Sequence, residues 1–165
     1  MCFYICKPKN FRKLTPKMPL EFIPQGRFSV YNYVIGGLQM YIYTNPNPQG
    51  SFVGDCVIRA IAIASNKSWY DVFTDLAVKA LEMSDMPSSN RVWAEYLKDE
   101  GWHRYIVPDL CPHCYTIKDF ASEHFRGNYI VGTGTHAVAV VNGDVMDTWD
   151  SSNEYPLFYF TKEEE

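Results

Sequence analysis

Cys56, His136 and Asp147 are the residues whose types could work together as a nucleophile, a base and an orienting acid. A thiol becomes reactive as its thiolate, and an imidazole held by a carboxylate is a common device for taking its proton. Cys56 lies just after Gly54-Asp55 and opens an apolar run that continues to Ala64. In the first turn of a helix, unpaired backbone N–H groups and the positive end of the dipole favour a thiolate. A free Cys is most often a small buried apolar residue. The thiol therefore needs a base from elsewhere in the chain.

That base comes with the hairpin around Asn142-Gly143, a dipeptide suited to a two-residue turn between strands. If Val141 faces Asp144, His136 lies opposite Trp149, with Asp147 on the same face. A three-residue loop would bring Asp150 opposite His136 instead. Either register puts a carboxylate within reach of the imidazole, so Asp147 and Asp150 are both candidate orienters.

The remaining elements must position this group. Met40–Tyr43 is strand-like, and Asn45–Gly50 is a turn-rich loop leading to the Cys56 helix, which runs to about Ser65 and has no polar face. Ser68 caps a second helix, with Tyr70, Phe73, Leu76, Ala77, Ala80 and Leu81 expected on its buried face. Ser88 or Ser89 caps a third, ended by Gly101. Strands are expected at Trp102–Val107, Tyr129–Gly132, His136–Val141, Val145–Trp149 and Leu157–Phe160, and a short helix from Thr116 to about Phe125. Helices first and a sheet second is an α+β order.

These residues carry a resemblance to the papain-like cysteine peptidase superfamily. Gly54-Asp-Cys56 opens a buried helix, and His136-Ala-Val-Ala-Val and Asp147-Thr-Trp149 follow in that order. In papain the nucleophile segment reads Q-G-S-C-G-S-C-W-A-F, and the base segment begins H-A-V-A and closes with N-S-W. Gln49-Gly-Ser51 lies one residue farther from the Cys than in papain, and the hairpin is shorter. The likeness covers residues 45–65 and 132–151. The chain is also similar to small, divergent papain-fold proteins of bacteria and phages, including the peptidase domains of bacteriocin exporters, which use Cys-His-Asp.

The resemblance implies a helix carrying Cys56 packed on a C-terminal antiparallel sheet carrying His136 and Asp147. Cys56 is then the nucleophile, His136 the general base, Asp147 the orienter and Trp149 its cover. Gln49 is the candidate oxyanion donor, with Asn47 or Asn45 as substitutes. The implied function is a thiol hydrolase cleaving an amide bond of a peptide or protein. A deamidase or transamidase would use the same triad, and a papain-fold binding module would use none of it. No cofactor or metal is expected. Arg59 departs from the papain pattern; a buried ion pair with Asp55 or Asp71 is its expected role, with depression of the thiol pKa or recognition of a carboxylate as the alternative.

Composition bounds the rest. With 165 residues, 47% apolar and 21% charged, the chain is long enough for one core without disulfide staples. No window is apolar for long enough to span a membrane, and the N-terminus lacks the pattern of a signal peptide. The net charge of −4 argues against a nucleic-acid partner. Six of the 15 basic residues precede Met40, against one of the 19 acidic ones, so residues 1–39 form a basic, Pro-containing extension. Residues 40–165 form the single domain, with a short strand feasible at Phe28–Ile35. Five scattered Cys fit a reducing, cytoplasmic setting better than a secreted disulfide framework. Cys111-Pro-His113-Cys114 is expected to be a structural turn before a zinc half-site, with redox chemistry last. Oligomeric state and substrate identity are not legible.

Overall fold

A computed structural model describes residues 30–34, 37–108 and 114–162. In chain order the elements are β1 (Val30–Val34), β2 (Gly37–Tyr43), α1 (Cys56–Ser65), α2 (Trp69–Met83), α3 (Asn90–Asp99) and β3 (His103–Ile106). There follow α4 (Ile117–Glu123), β4 (Asn128–Gly132), β5 (Ala137–Val141), β6 (Asp144–Asp147) and β7 (Phe158–Thr161). The mixed α+β class expected from the sequence is present.

The strands form one sheet in the order β1-β2-β6-β5-β4-β7-β3. Every pairing is antiparallel except β2 with β6, where Tyr41, Ile42 and Tyr43 run parallel to Val145, Met146 and Asp147. The sheet is therefore mixed: the C-terminal strands β4–β7 pair antiparallel as expected, and β2 joins them in parallel. A parallel pair between residues about a hundred positions apart has no local turn to announce it. The boundary expected at residue 39 falls inside β2, and the β1–β2 hairpin forms the sheet's edge. Residues 1–29 of the expected extension lie outside the described residues.

β5 reads Ala-Val-Ala-Val-Val without polar interruption because both of its faces are covered. Ala137 and Ala139 share one core with Ile130, Phe158, Phe160 and helices α1–α3. Val138, Val140, Val131, Val145 and Tyr159 share the other with Ile117, Phe120 and Ala121 of α4. This is the period-two alternation of a strand dividing two layers. α1 packs on β5, β4, β6 and α2. The small side chains of Ala60, Ala62 and Ala64 on the helix and of Ala137 and Ala139 on the strand suit a close approach.

The caps follow their chemistry. Ser68 accepts from the Asp71 N–H, and Thr116 and Asp119 form a reciprocal capping box. Asn142 (φ 52°) and Gly143 (φ 84°) both occupy the left-handed region that a type I′ hairpin turn requires. The expected buried face of α2 is corrected. Val72, Leu76 and Ala80 are buried, whereas Tyr70, Phe73 and Leu81 are exposed. Apolar residues stand on both faces of this helix, so periodicity alone allowed the wrong rotation. No helix among the described residues is long and apolar enough to cross a membrane.

Candidate active site

The site forms where the first turn of α1 meets the ends of β5 and β6. Asp55 precedes the helix without a side-chain cap, so the first-turn N–H groups keep their donor capacity. Cys56 is half-buried there. Across from it the chain turns tightly at Thr133–His136, where the Thr133 N–H donates to the His136 carbonyl at 2.8 Å and the His136 N–H to the Thr133 hydroxyl at 3.1 Å. That turn fixes the His136 backbone just before β5.

The two-residue hairpin register is the one found, with Val141 opposite Asp144 and Ala139 opposite Met146. It brings His136 Nε2 to 2.6 Å from Asp147 Oδ2. The other ring nitrogen, Nδ1, is left for the thiol, and His136 and Cys56 are hydrogen-bonded. A backbone hydrogen bond from Ala137 also reaches the sulfur. Trp149 lies against the imidazole with ring centroids 5.2 Å apart. Asp150, the alternative orienter, is exposed, and its carboxylate accepts from the Ser152 N–H at 3.1 Å.

Asp147 is held on all sides. The Ser151 hydroxyl donates to Oδ2 at 2.8 Å and the Thr148 N–H donates to Oδ1 at 2.7 Å. The Arg59 guanidinium lies 3.7 Å from Oδ1. Arg59 also pairs with Asp55 one turn before it on α1, as expected, and not with Asp71. The second Asp55 oxygen accepts from Trp69 Nε1 at 2.9 Å and from Asn47 Nδ2 at 3.2 Å. Ser151 and the reach of Arg59 to Asp147 had no signal in the sequence: one is a lone Ser in a turn, the other a contact between distant elements.

Electrostatics follow from this geometry. Burial pushes the Cys56 thiol up, but the His136 and Ala137 hydrogen bonds and the charges of His136 and Arg59 outweigh it and leave the thiol below its ordinary value. Burial lowers the His136 pKa, yet the bonds and charges of Asp147 and Cys56 raise it to about 9. Burial raises the Asp147 carboxyl, while His136, Ser151 and Thr148 hold it below the usual range. All three directions favour a thiolate beside an imidazolium oriented by a carboxylate.

The amide side chains before α1 divide. Gln49 is exposed, and it is its backbone N–H that is held, by Asn47 Oδ1 at 3.0 Å. Asn47 is buried and spends its amide on Asp55. Asn45 Nδ2 is buried without a hydrogen-bond partner. Cys114 is disulfide-bonded, which removes it as a zinc ligand; Cys111 and His113 lie outside the described residues, as do Cys2 and Cys6. Among the described residues no group of three His, Cys, Asp or Glu side chains could hold a metal. A scan of protein-family models, a search of curated proteins and a search of solved structures each return no match to the chain.

Proposed function

We propose that the protein is a thiol-dependent hydrolase with a papain-like arrangement, acting on an amide bond of a peptide or protein through Cys56, His136 and Asp147. One observation carries the reading: the unbroken hydrogen-bonded chain from the Cys56 thiol through the His136 imidazole to the buried Asp147 carboxylate. A structural histidine satisfied by a carboxylate does not require a half-buried thiol at a helix N-terminus on its other nitrogen. The order of the three groups along the chain, and the helix-and-hairpin elements that hold them, support the family likeness.

In this mechanism the Cys56 thiolate attacks the carbonyl carbon of the scissile amide, and the C=O π electrons move onto oxygen. The Cys56 backbone N–H, free of a side-chain cap, is one donor for that oxyanion. The amide of Asn45 or Gln49 is the candidate second donor. As the tetrahedral species collapses, the C–N bond breaks and the imidazolium gives its proton to the leaving amine. A thioester remains. His136 then takes a proton from water, the hydroxide attacks the thioester carbon, and the C–S bond breaks to release the acid and restore the thiolate–imidazolium pair. Asp147 stays ionised throughout and holds the ring.

Alkylation by iodoacetamide tests the premise. Cys56 should react near neutral pH faster than glutathione, because a thiol held below its ordinary pKa is more fully ionised there. In His136→Ala the rate should fall to that of an ordinary buried thiol. A native rate equal to that of glutathione, unchanged in His136→Ala, would falsify the reading.

A further inference from the structure

We propose that Arg59 is a positioning residue of this site, a strut that ties the nucleophile's helix to the carboxylate that orients the base. The proposal rests on the thiol-hydrolase reading and adds a residue that the triad does not require. Arg59 is 6% exposed, and Asp55 and Asp147 are each 3% exposed. One guanidinium nitrogen, Nη1, pairs with Asp55, the residue directly before Cys56, and also reaches the Val53 carbonyl at 3.5 Å. The other, Nη2, faces Asp147 Oδ1 from 3.7 Å, on the opposite side of the carboxylate from His136. One rigid planar group thereby spans the loop that delivers the thiol and the strand end that delivers the acid.

Stability alone does not account for this residue. A buried ion pair contributes little net stability once desolvation is counted. Arg59 adds a cost of its own, because its Nε is buried with no hydrogen-bond partner. Charge counting supplies the reason. Asp55 and Asp147 bring two negative charges into a buried space, and Arg59 is the fixed positive charge between them. Asp147 also has to support the imidazolium through its other oxygen, and the guanidinium facing Oδ1 helps keep that carboxylate charged and in place. The charged and titratable groups facing the thiol and its partners are His136 and Asp147 from the hairpin and Asp55 and Arg59 from the start of α1. Among the described residues Tyr41 from β2 adjoins them, its hydroxyl donating to the Asp147 carbonyl oxygen at 3.4 Å, and Asp150 and Tyr43 lie near Tyr41 in turn.

The test measures the pH profile of Cys56 alkylation by iodoacetamide together with the thermal unfolding midpoint. The variants are the double replacement Asp55→Asn with Arg59→Met, which removes the pair without stranding a charge, and Arg59→Lys, which keeps the charge but cannot span both carboxylates. The double variant should unfold cooperatively while its acid limb moves up by about one pH unit, roughly a tenfold slower reaction below that limb. Arg59→Lys should fall between it and the native protein. A folded double variant whose profile superimposes on the native one overturns the proposal, as does an Arg59→Lys profile that superimposes on the native one. Should the double variant not fold, Arg59→Lys alone decides: a displaced profile supports the strut and an unchanged one refutes it. Failure of the underlying thiol chemistry would be seen separately, in native Cys56 reacting no faster than glutathione.

Discussion

The two ends of α1 each carry an ionic cluster, and they differ in almost everything but residue type. At the N-terminal end, Asp55, Arg59 and Asp147 are buried and converge on His136 and Cys56. Just past the C-terminal end, Lys67 meets Asp75 of α2 at 3.5 Å, and the Tyr96 hydroxyl of α3 and Glu100 at 3.0 and 2.9 Å. Both obey the helix dipole, with anionic groups at the positive end and a cation at the negative end. At the C-terminal cluster the ionic side chains are about a third exposed, and they pin three helices together. Its bonds hold Lys67 protonated well above its ordinary range despite some burial, and burial pushes the Tyr96 hydroxyl up. At the N-terminal cluster the same kind of contacts shift a thiol and an imidazole toward each other's pKa. Burial and the identity of the neighbours, rather than the presence of ion pairs, separate a clamp from a reactive site.

Replacing Asp147 strains that comparison hardest. In the fold the His136 pKa of about 9 lies above the roughly 6.5 of an unfolded histidine, so its protonation stabilises the fold fully below about pH 6.5. That contribution is lost as pH rises through about 9. The Cys56 thiol is shifted the other way: its contribution is present above the ordinary thiol range and is lost as pH falls through its lowered value. The thiolate–imidazolium form therefore occupies the window between the two. In Asp147→Asn the imidazole loses its largest support, and its NMR titration midpoint should drop from about 9 toward the ordinary histidine value. The window narrows from its alkaline side, and Cys56 alkylation at neutral pH should slow by roughly tenfold, the equivalent of about one pKa unit. An unmoved midpoint would mean that the N-terminal cluster is as inert as the C-terminal one.

Much of this contrast was legible in the sequence, and the part that was not has a physical reason. The Cys56 helix, the Asn142-Gly143 turn and the pairing of His136 with Asp147 all follow from short-range rules: a turn residue, a cap position, a two-residue periodicity. The choice of Asp147 over Asp150 needed only the loop length. Arg59 was readable as a buried partner of Asp55 because the two stand one helical turn apart. Its contact with Asp147 depends on how α1 lies across β6, which no local pattern encodes. The parallel β2–β6 pair and the Ser151 contact were hidden for the same reason. On α2 the failure was different: Tyr70, Phe73 and Leu81 made a plausible apolar face that tertiary packing leaves in solvent.

Smaller effects sharpen the comparison further. Ser151 is completely buried and gives Asp147 Oδ2 one of its two hydrogen bonds, the other coming from His136. Ser151→Ala leaves the His136 bond in place, so the His136 midpoint should fall by less than in Asp147→Asn. The lost hydrogen bond to a charged acceptor should cost about 1.5–3 kcal/mol of stability, measured by urea unfolding. A midpoint lowered as far as in Asp147→Asn would mean that the hydroxyl, not the imidazole contact alone, sets the carboxylate's position. Lys67→Met at the other end of α1 should do the reverse. Its side chain is nearly a third exposed, so screening keeps the loss within about 1 kcal/mol, and the stem's packing is retained by Met. The Cys56 alkylation profile should not move at all, because the helix lies between the two clusters and no side chain is shared by them. A Lys67→Met profile shifted along with the unfolding midpoint would show that thiol reactivity tracks the general firmness of the helix packing, and the distinction between clamp and site would collapse.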